Sequence, residues 1–388
     1  MDYATIQTNV EQVSREFARD RRERQSRREL VQADFDQLAD AGFLLTGVPA
    51  EMGGIWEDTQ RSVRPICALL RILAHGDSSV ALVSSMHPAV LGFWLATPHV
   101  ASSYQDAWAT QRTHVAETAR AGAQWGTIIS EPGTGGDVAK TKTIARPASG
   151  DSAYTVTGQK HFGSGLGVTA YMITSARVEG ADEPDLFYLD MRDVPWDGSE
   201  GATLTFPWDG HGMTATQSHG MEFEDFPATR CAWPEHLEEL ATAANPFIAC
   251  LFSAVILGIV EVALDTARQR LNQREPDSFH AYEQVEWSRA EKEGWLAEQA
   301  FEGMLRAVEN DQDAPHVTVQ GETAIAELAE SVTQRICRVL GGGTFSRHTP
   351  YGFWFEDVRA LGFLRPPWAL AYDSLFTRSV ADDHAHEG

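Results

Sequence analysis

The chain has 388 residues, 43% hydrophobic and 22% charged, an ordinary globular balance with length for two or three packed units. A formal net charge of −24 argues against a nucleic-acid partner, because phosphate binding needs clustered Lys and Arg. Four scattered cysteines (Cys67, Cys231, Cys250 and Cys337) form no CxxC pair and no zinc spacing, and read as free thiols in a reducing cytosol.

The opening stretch MDYATIQTNVEQVSREFARDRRERQ carries charges throughout and has no apolar h-region, so no signal peptide is expected. Residues 1–120 predict an all-helical domain. VSREFARD, ELVQADFDQLADAGFL and SVRPICALLRILAHG repeat apolar residues at i, i+3, i+4 and i+7. The texture changes for residues 121–233. Short runs such as WGTIIS, AYTVTG, YMITSARV, LFYLDM and GMEFEDF alternate with turn residues, which predicts an antiparallel sheet or barrel.

Residues 234–388 return to helix. The longest apolar run, Phe247 to Leu264, is broken by Ser253, Gly258 and Glu261, so a buried core helix is expected rather than a membrane span. AEKEGWLAEQAFEGMLRAVE is amphipathic, DQDAPHVTVQGET reads as a loop, and ETAIAELAESVTQRICRVLGG ends on glycines as a helix should. The fold class is α+β: helical domain, β domain, helical bundle. A soluble, cytoplasmic protein without a membrane partner is expected.

Two turns could carry chemistry. SEPGTGGD (130–137) exposes backbone N–H groups and allows close approach of a ligand. GQKHFGSG (158–165) sets Phe162 and Ser164 at a strand end, where an aromatic could pack on a planar cofactor and a hydroxyl could bond its ring nitrogen. Taken singly, each also reads as an ordinary hairpin. His87 precedes a proline at the end of an apolar helix, where a histidine commonly caps carbonyls. His211 and His219 flank a turn, but nothing completes a metal set.

In this order the pieces resemble the acyl-CoA dehydrogenase superfamily across nearly the whole chain. AGFLLTGVPAEMGG, WGTIISEPGTGGDVAKTKTIA, YTVTGQKHFGSG, HGMTATQSHGMEFEDF and GGGTFSRHTPYGFWFEDVRA each look like one of its motifs, collinearly. The resemblance implies a C-terminal four-helix bundle, FAD between the domains, and homodimers or homotetramers. By matched position, Ser130 would bond the flavin pyrimidine edge, Phe162 would lie against the isoalloxazine, and Ser164 would face N5. Gly341 and Gly342 would let a neighbour's FAD approach, and Arg274 would stand at the pyrophosphate, although REPDSF is spaced differently from the family motif.

In the common family pattern a catalytic glutamate follows the motif's aspartate by eight residues; here that place, counted from Asp357, is Arg365. An arginine stays protonated and cannot take an α-proton. The alternative seat on the long C-terminal helix is Ile248. The chain also resembles the family's flavin-dependent monooxygenase branch, similar to dibenzothiophene monooxygenase, through Asp77 to His87 and through Phe162, Ser164 and Gly165; where that group keeps a C-terminal histidine, this chain has Leu364. This implies catalytic roles for His87 and Ser164 toward a flavin C4a-hydroperoxide, with Arg365 paired to a carboxylate or to an anionic substrate. The flavin would be FAD or FMN, which a separate reductase could supply reduced. The alternative is an acyl-CoA or acyl-carrier-protein dehydrogenase with a displaced base and an electron-transfer partner, or a non-catalytic partner subunit.

Overall fold

The structure is a computed structural model that describes residues 1–150, 152–364 and 366–385. Arg365 lies outside the described residues. The N-terminal helices are α1 (Tyr3–Arg19), α2 (Arg21–Ser26), α3 (Gln32–Asp40), α4 (Thr59–Gly76), α5 (Ser78–Leu95) and α6 (Gln105–Arg120). Strands follow: β1 (Trp125–Thr127), β2 (Ile144–Pro147), β3 (Ala153–Gly163), β4 (Tyr171–Val178), β5 (Pro184–Asp190), β6 (Ala202–Phe206) and β7 (His219–Arg230). The chain returns to helix in α7 (Leu237–Leu271), α8 (Ala281–Glu309), α9 (Ala314–Leu340), α10 (Tyr351–Val358) and α11 (Trp368–Ala385).

The strands close on themselves. β4 pairs β2, then β3, β7 and β5 follow, and β5 returns to β4. This ring leaves few open edges. Its interior is filled by Val156, Met172, Phe187 and Phe223. β1 and β2 run parallel to β4, so the expected antiparallel pattern gives way at these two pairings.

Helix α5 is buried almost all round, from Ser78 to Trp94, as expected for a helix that is apolar on every face. By length and composition α5 and α7 could each cross a membrane, yet 89% and 83% of their apolar windows are buried inside the structure. They pack on each other and on α4, where a Cβ at Gly258 of α7 would come within 2.6 Å of the Arg71 carbonyl. An aromatic cluster joins this helical core to the barrel. Trp125 of β1 stacks on Tyr171 at 4.7 Å and meets Trp94 of α5 edge-on at 5.7 Å. Full burial of such rings contributes about 1.5–3 kcal/mol each.

Two local expectations are corrected. The segment APHVTVQGET is the start of α9, not a loop: Pro315 sits in the first turn, where its missing N–H costs nothing, and Gly321 packs against Met304 of α8. His87 is not at a helix end. α5 continues through Pro88 to Leu95, held by its buried surroundings despite the internal proline.

Glu322 of α9 is buried in the bundle with neither carboxylate oxygen hydrogen-bonded, and burial pushes its carboxyl well above the usual range. The native state therefore holds a proton that the unfolded chain releases above about pH 4.5. Stability should fall with rising pH by about 1.4 kcal/mol per unit from this group, until the folded-state group ionises. Glu322→Gln should raise Tm at pH 7.5 but not at pH 4. Equal shifts at both pH values would contradict a neutral buried acid.

Candidate functional site

A buried ion pair organises the site. Lys160 of β3 is fully buried and donates to Glu131 Oε1 at 2.6 Å, and also to the Ser175 and Ile129 carbonyls. Glu131 in turn accepts from the Lys142 and Thr143 N–H groups and from the Thr143 hydroxyl. Burial alone would raise the Glu131 carboxyl, but the Lys160 ammonium and these donors hold it below its ordinary value. The pair fixes the turn after β1 to the end of β3. Beside it, His161 N–H donates to the Ser130 carbonyl at 2.7 Å.

With both turns locked, Ser130, Phe162 and Ser164 line one cleft of about 770 Å³. Phe162 has φ 59°, a strained left-handed conformation for an aromatic residue, and the residue is 55% exposed. Backbone strain of this kind, about 1–3 kcal/mol, concentrates where a side chain must be presented. Trp208 stands edge-on to it at 6.3 Å. The turn 133–136 carries glycines at positive φ, and a Cβ at Gly135 would meet nothing within 4 Å, so backbone lines that wall without side chains. Leu82 and Met86 of α5 and Phe252 of α7 form apolar walls, and Leu364 lines the mouth with Pro367. The cleft therefore offers a flat aromatic, an approachable glycine turn and hydroxyls, a set that fits a planar heteroaromatic ring.

Carboxylates at the cleft are engaged. Among its described lining residues, Glu131 is held by Lys160, and Glu356 pairs with Arg359 at 2.7 Å. Asp357 lies behind the wall. It accepts from the Ser78 hydroxyl and, at 2.6 Å, from the Met213 N–H, thereby tying α10 to α5 and to the HGM loop. Burial pushes its carboxyl up to about 6.

His87 does not line the cleft. Leu82 and Met86 take the cleft-facing positions of α5, while His87 points into the core and is fully buried. Its Nδ1 accepts from the Trp125 N–H at 3.1 Å, which leaves Nε2–H to donate to the Leu44 carbonyl at 2.9 Å. Burial lowers its pKa to about 4. The expected catalytic histidine is thus a neutral structural link between α5, β1 and the Leu44 turn. Gly341 and Gly342 line a second cleft of about 860 Å³, which meets the first at His211 and Glu356. Arg274 lines neither; it donates to Glu283 at 2.7 Å and lies over Phe279 at 4.1 Å. Glu261, a conceivable alternative base, is engaged with Arg71 and His75 on the far side of α7.

Sequence reasoning missed Trp208, His211 and Ser218 as cleft residues, along with the Lys160–Glu131 pair. The signal for the pair was a Glu and a Lys within the two suspect turns themselves. His211 and Ser218 lie in a loop whose path no local pattern reveals.

Two outcomes follow from the buried groups. Lys160→Met strands the Glu131 carboxylate and should cost about 3–5 kcal/mol in urea unfolding, with Phe162 and Ser164 displaced. For His87, the unfolded imidazole takes a proton below about pH 6.5 while the native one does so only near 4. Its contribution should be complete above pH 6.5 and shrink by about 1.4 kcal/mol per unit as pH falls toward 4. An NMR titration placing the native His87 pKa at 6 or higher would refute this.

Comparisons with known proteins fit this geometry. Residues 126–226 match the model of the acyl-CoA dehydrogenase middle domain. YdbM of Bacillus subtilis (strain 168), named for acyl-CoA dehydrogenation, is 24% identical over 340 residues, covering 85% of this chain and 84% of that protein. SfnC of Pseudomonas putida, named for FMNH2-dependent monooxygenation, is 30% identical over 261 residues, 66% of this chain and 59% of its own. Dibenzothiophene monooxygenase of Mycolicibacterium goodii is 26% identical over 360 residues, 84% and 81%. Among solved structures, KijD3 in complex with dTDP superposes with TM-score 0.81 at 20% identity, covering 97% of this chain and 96% of that one. FMN-bound TdsC from Paenibacillus sp. A11-2 gives 0.76 at 18% identity, covering 95% and 96%. Butyryl-CoA dehydrogenase from Megasphaera elsdenii gives 0.80 at 17%, covering 97% and 98%. The chain is thus similar, over most of its length, to proteins named as acyl-CoA dehydrogenases and flavin-dependent monooxygenases, and it shares their fold.

Proposed function

We propose that the chain is a flavin-dependent monooxygenase that receives reduced FMN or FAD from a separate reductase and oxygenates a small organic substrate. The observation that carries this reading is the state of the carboxylates. Abstraction of an α-proton from an acyl thioester needs a free carboxylate aimed at that carbon. The described lining supplies Glu131 and Glu356, both ion-paired, and the family resemblance matches the alternative seat on α7 to Ile248, an apolar residue. Similarity to SfnC and to dibenzothiophene monooxygenase supports the same choice.

Bound reduced flavin would supply the two electrons that let dioxygen place one atom on the substrate and release the other as water. The chain's own residues position and enclose it. Phe162, held in its strained conformation, presents a platform for the ring, and Ser130 and Ser164 lie on the same wall to bond its polar edge. Leu82, Met86 and Phe252 add apolar lining to the cleft, which favours an apolar substrate and limits water.

The test supplies anaerobically reduced FMN or FAD, then labelled dioxygen with a panel of small aromatic and heterocyclic substrates. Label should enter product, and Ser164→Ala should lower flavin affinity several-fold. Turnover of saturated acyl-CoAs to enoyl-CoAs with an artificial electron acceptor, without label incorporation, would replace this reading with a dehydrogenase.

A further inference from the structure

Ser164 is the first member of a buried hydroxyl chain. Its Oγ lies 2.8 Å from Ser218 Oγ, which lies 2.7 Å from Thr216 Oγ1, and Thr216 donates to the Met213 carbonyl at 2.9 Å. All three side chains are buried, while Ser164 and Ser218 reach the cleft wall. The surroundings are stitched as well. Gly165 N–H donates to the Thr216 carbonyl at 2.8 Å, and Trp208 Nε1 donates to the Met213 carbonyl at 3.0 Å.

Each hydroxyl has one proton to give. The chain ends at a carbonyl, which can only accept, so Thr216 uses its proton there. Ser218 must then donate to Thr216, and Ser164 must donate to Ser218. Every proton points inward, and Ser164 turns a lone pair toward the cleft. With Ser164 donating outward, one bond of the chain is lost: either Ser164 releases Ser218, or the chain reverses and Thr216 gives up the Met213 carbonyl. Either arrangement has one hydrogen bond fewer.

We infer that the Ser164–Ser218–Thr216 chain makes this cleft selective for the reduced state of flavin over the oxidised state. The inference rests on the flavin reading above. A reduced isoalloxazine carries N–H where the oxidised ring has bare acceptor nitrogens, so an outward lone pair matches the reduced ring and an outward proton the oxidised one. A net hydrogen bond between the two arrangements corresponds to about a 3- to 10-fold difference in affinity. Ser218 and Thr216 are positioning residues here. They act by fixing which way the Ser164 proton points.

The experiment measures dissociation constants of FMN and FAD, oxidised and dithionite-reduced under anaerobic conditions, for the wild-type protein, Thr216→Val, Thr216→Ser and Ser218→Ala. The wild-type protein should bind the reduced form about 3- to 10-fold more tightly. Thr216→Val keeps the side-chain shape but removes the terminal donor, so the two polarities become equivalent and the ratio should fall to about one. Thr216→Ser should restore it, and Ser218→Ala, which cuts the chain elsewhere, should abolish it. The midpoint potential of bound flavin should lie above that of free flavin in the wild type and return toward it in Thr216→Val. A purely structural role would weaken both redox forms equally, and an unchanged ratio in Thr216→Val and Ser218→Ala overturns the inference. Binding of neither flavin in either redox state by any of these proteins overturns the flavin reading itself.

Discussion

The buried contact between Lys160 and Glu131 is the constraint on which the site depends. An isolated charge at either position would be strongly disfavoured in this interior. The pair is tolerated because Glu131 accepts three further hydrogen bonds and Lys160 donates to two carbonyls besides. Such a network has one geometry that satisfies every member. It therefore acts as a clamp on two turns that would otherwise be free hairpin loops. Phe162 and Ser164 follow Lys160 within the next four residues, and Ser130 precedes Glu131 directly. The positions of all three are consequences of the clamp.

The remaining walls come from segments far apart in sequence. Asp357 holds α10 against the N-terminus of α5 and the loop at Met213. Gly165, at φ +84°, sits where a Cβ would come within 2.6 Å of Val83, so α5 lies directly on the serine turn. Gly212 lies so close to the Glu356 carbonyl that a Cβ would stand 2.3 Å from it. The cleft thus forms only when helical core, barrel and C-terminal segment are all in place.

Much of this was legible in the sequence, and for identifiable reasons. Helices α1, α4 and α8 announce themselves by periodicity and α7 by its long apolar run, and the two turns announce themselves by glycine and by their collinear resemblance to a family. The start of α9 was hidden because Pro315, Thr318 and Gly321 lower local helix preference, whereas packing on α8 restores it. His87 shows the opposite limit. A residue type and a spacing placed it on the correct helix, but it lies one position past Met86, and one position turns a helix by about 100°. The cleft receives Met86, and the imidazole receives a backbone N–H and a carbonyl. The hydroxyl chain was equally hidden, since Ser164 and Ser218 meet only after β3 and β7 are paired.

Perturbed titration usually points toward a functional site. In this chain that rule would mislead. Glu322, Asp357 and His87 have strongly displaced pKa values, and among the described residues none of the three lines the cleft. Their shifts come first from burial, which serves packing: Asp357 and His87 each link separate elements through the main chain, and Glu322 is simply enclosed. The described cleft lining instead presents hydroxyls, backbone, ion-paired carboxylates and the imidazoles of His161 and His211. The hydroxyls and backbone groups position a ligand and choose among its hydrogen-bonding states. Under the flavin reading the redox chemistry comes from the bound cofactor, with the protein contributing orientation, the direction of a few protons and the exclusion of water.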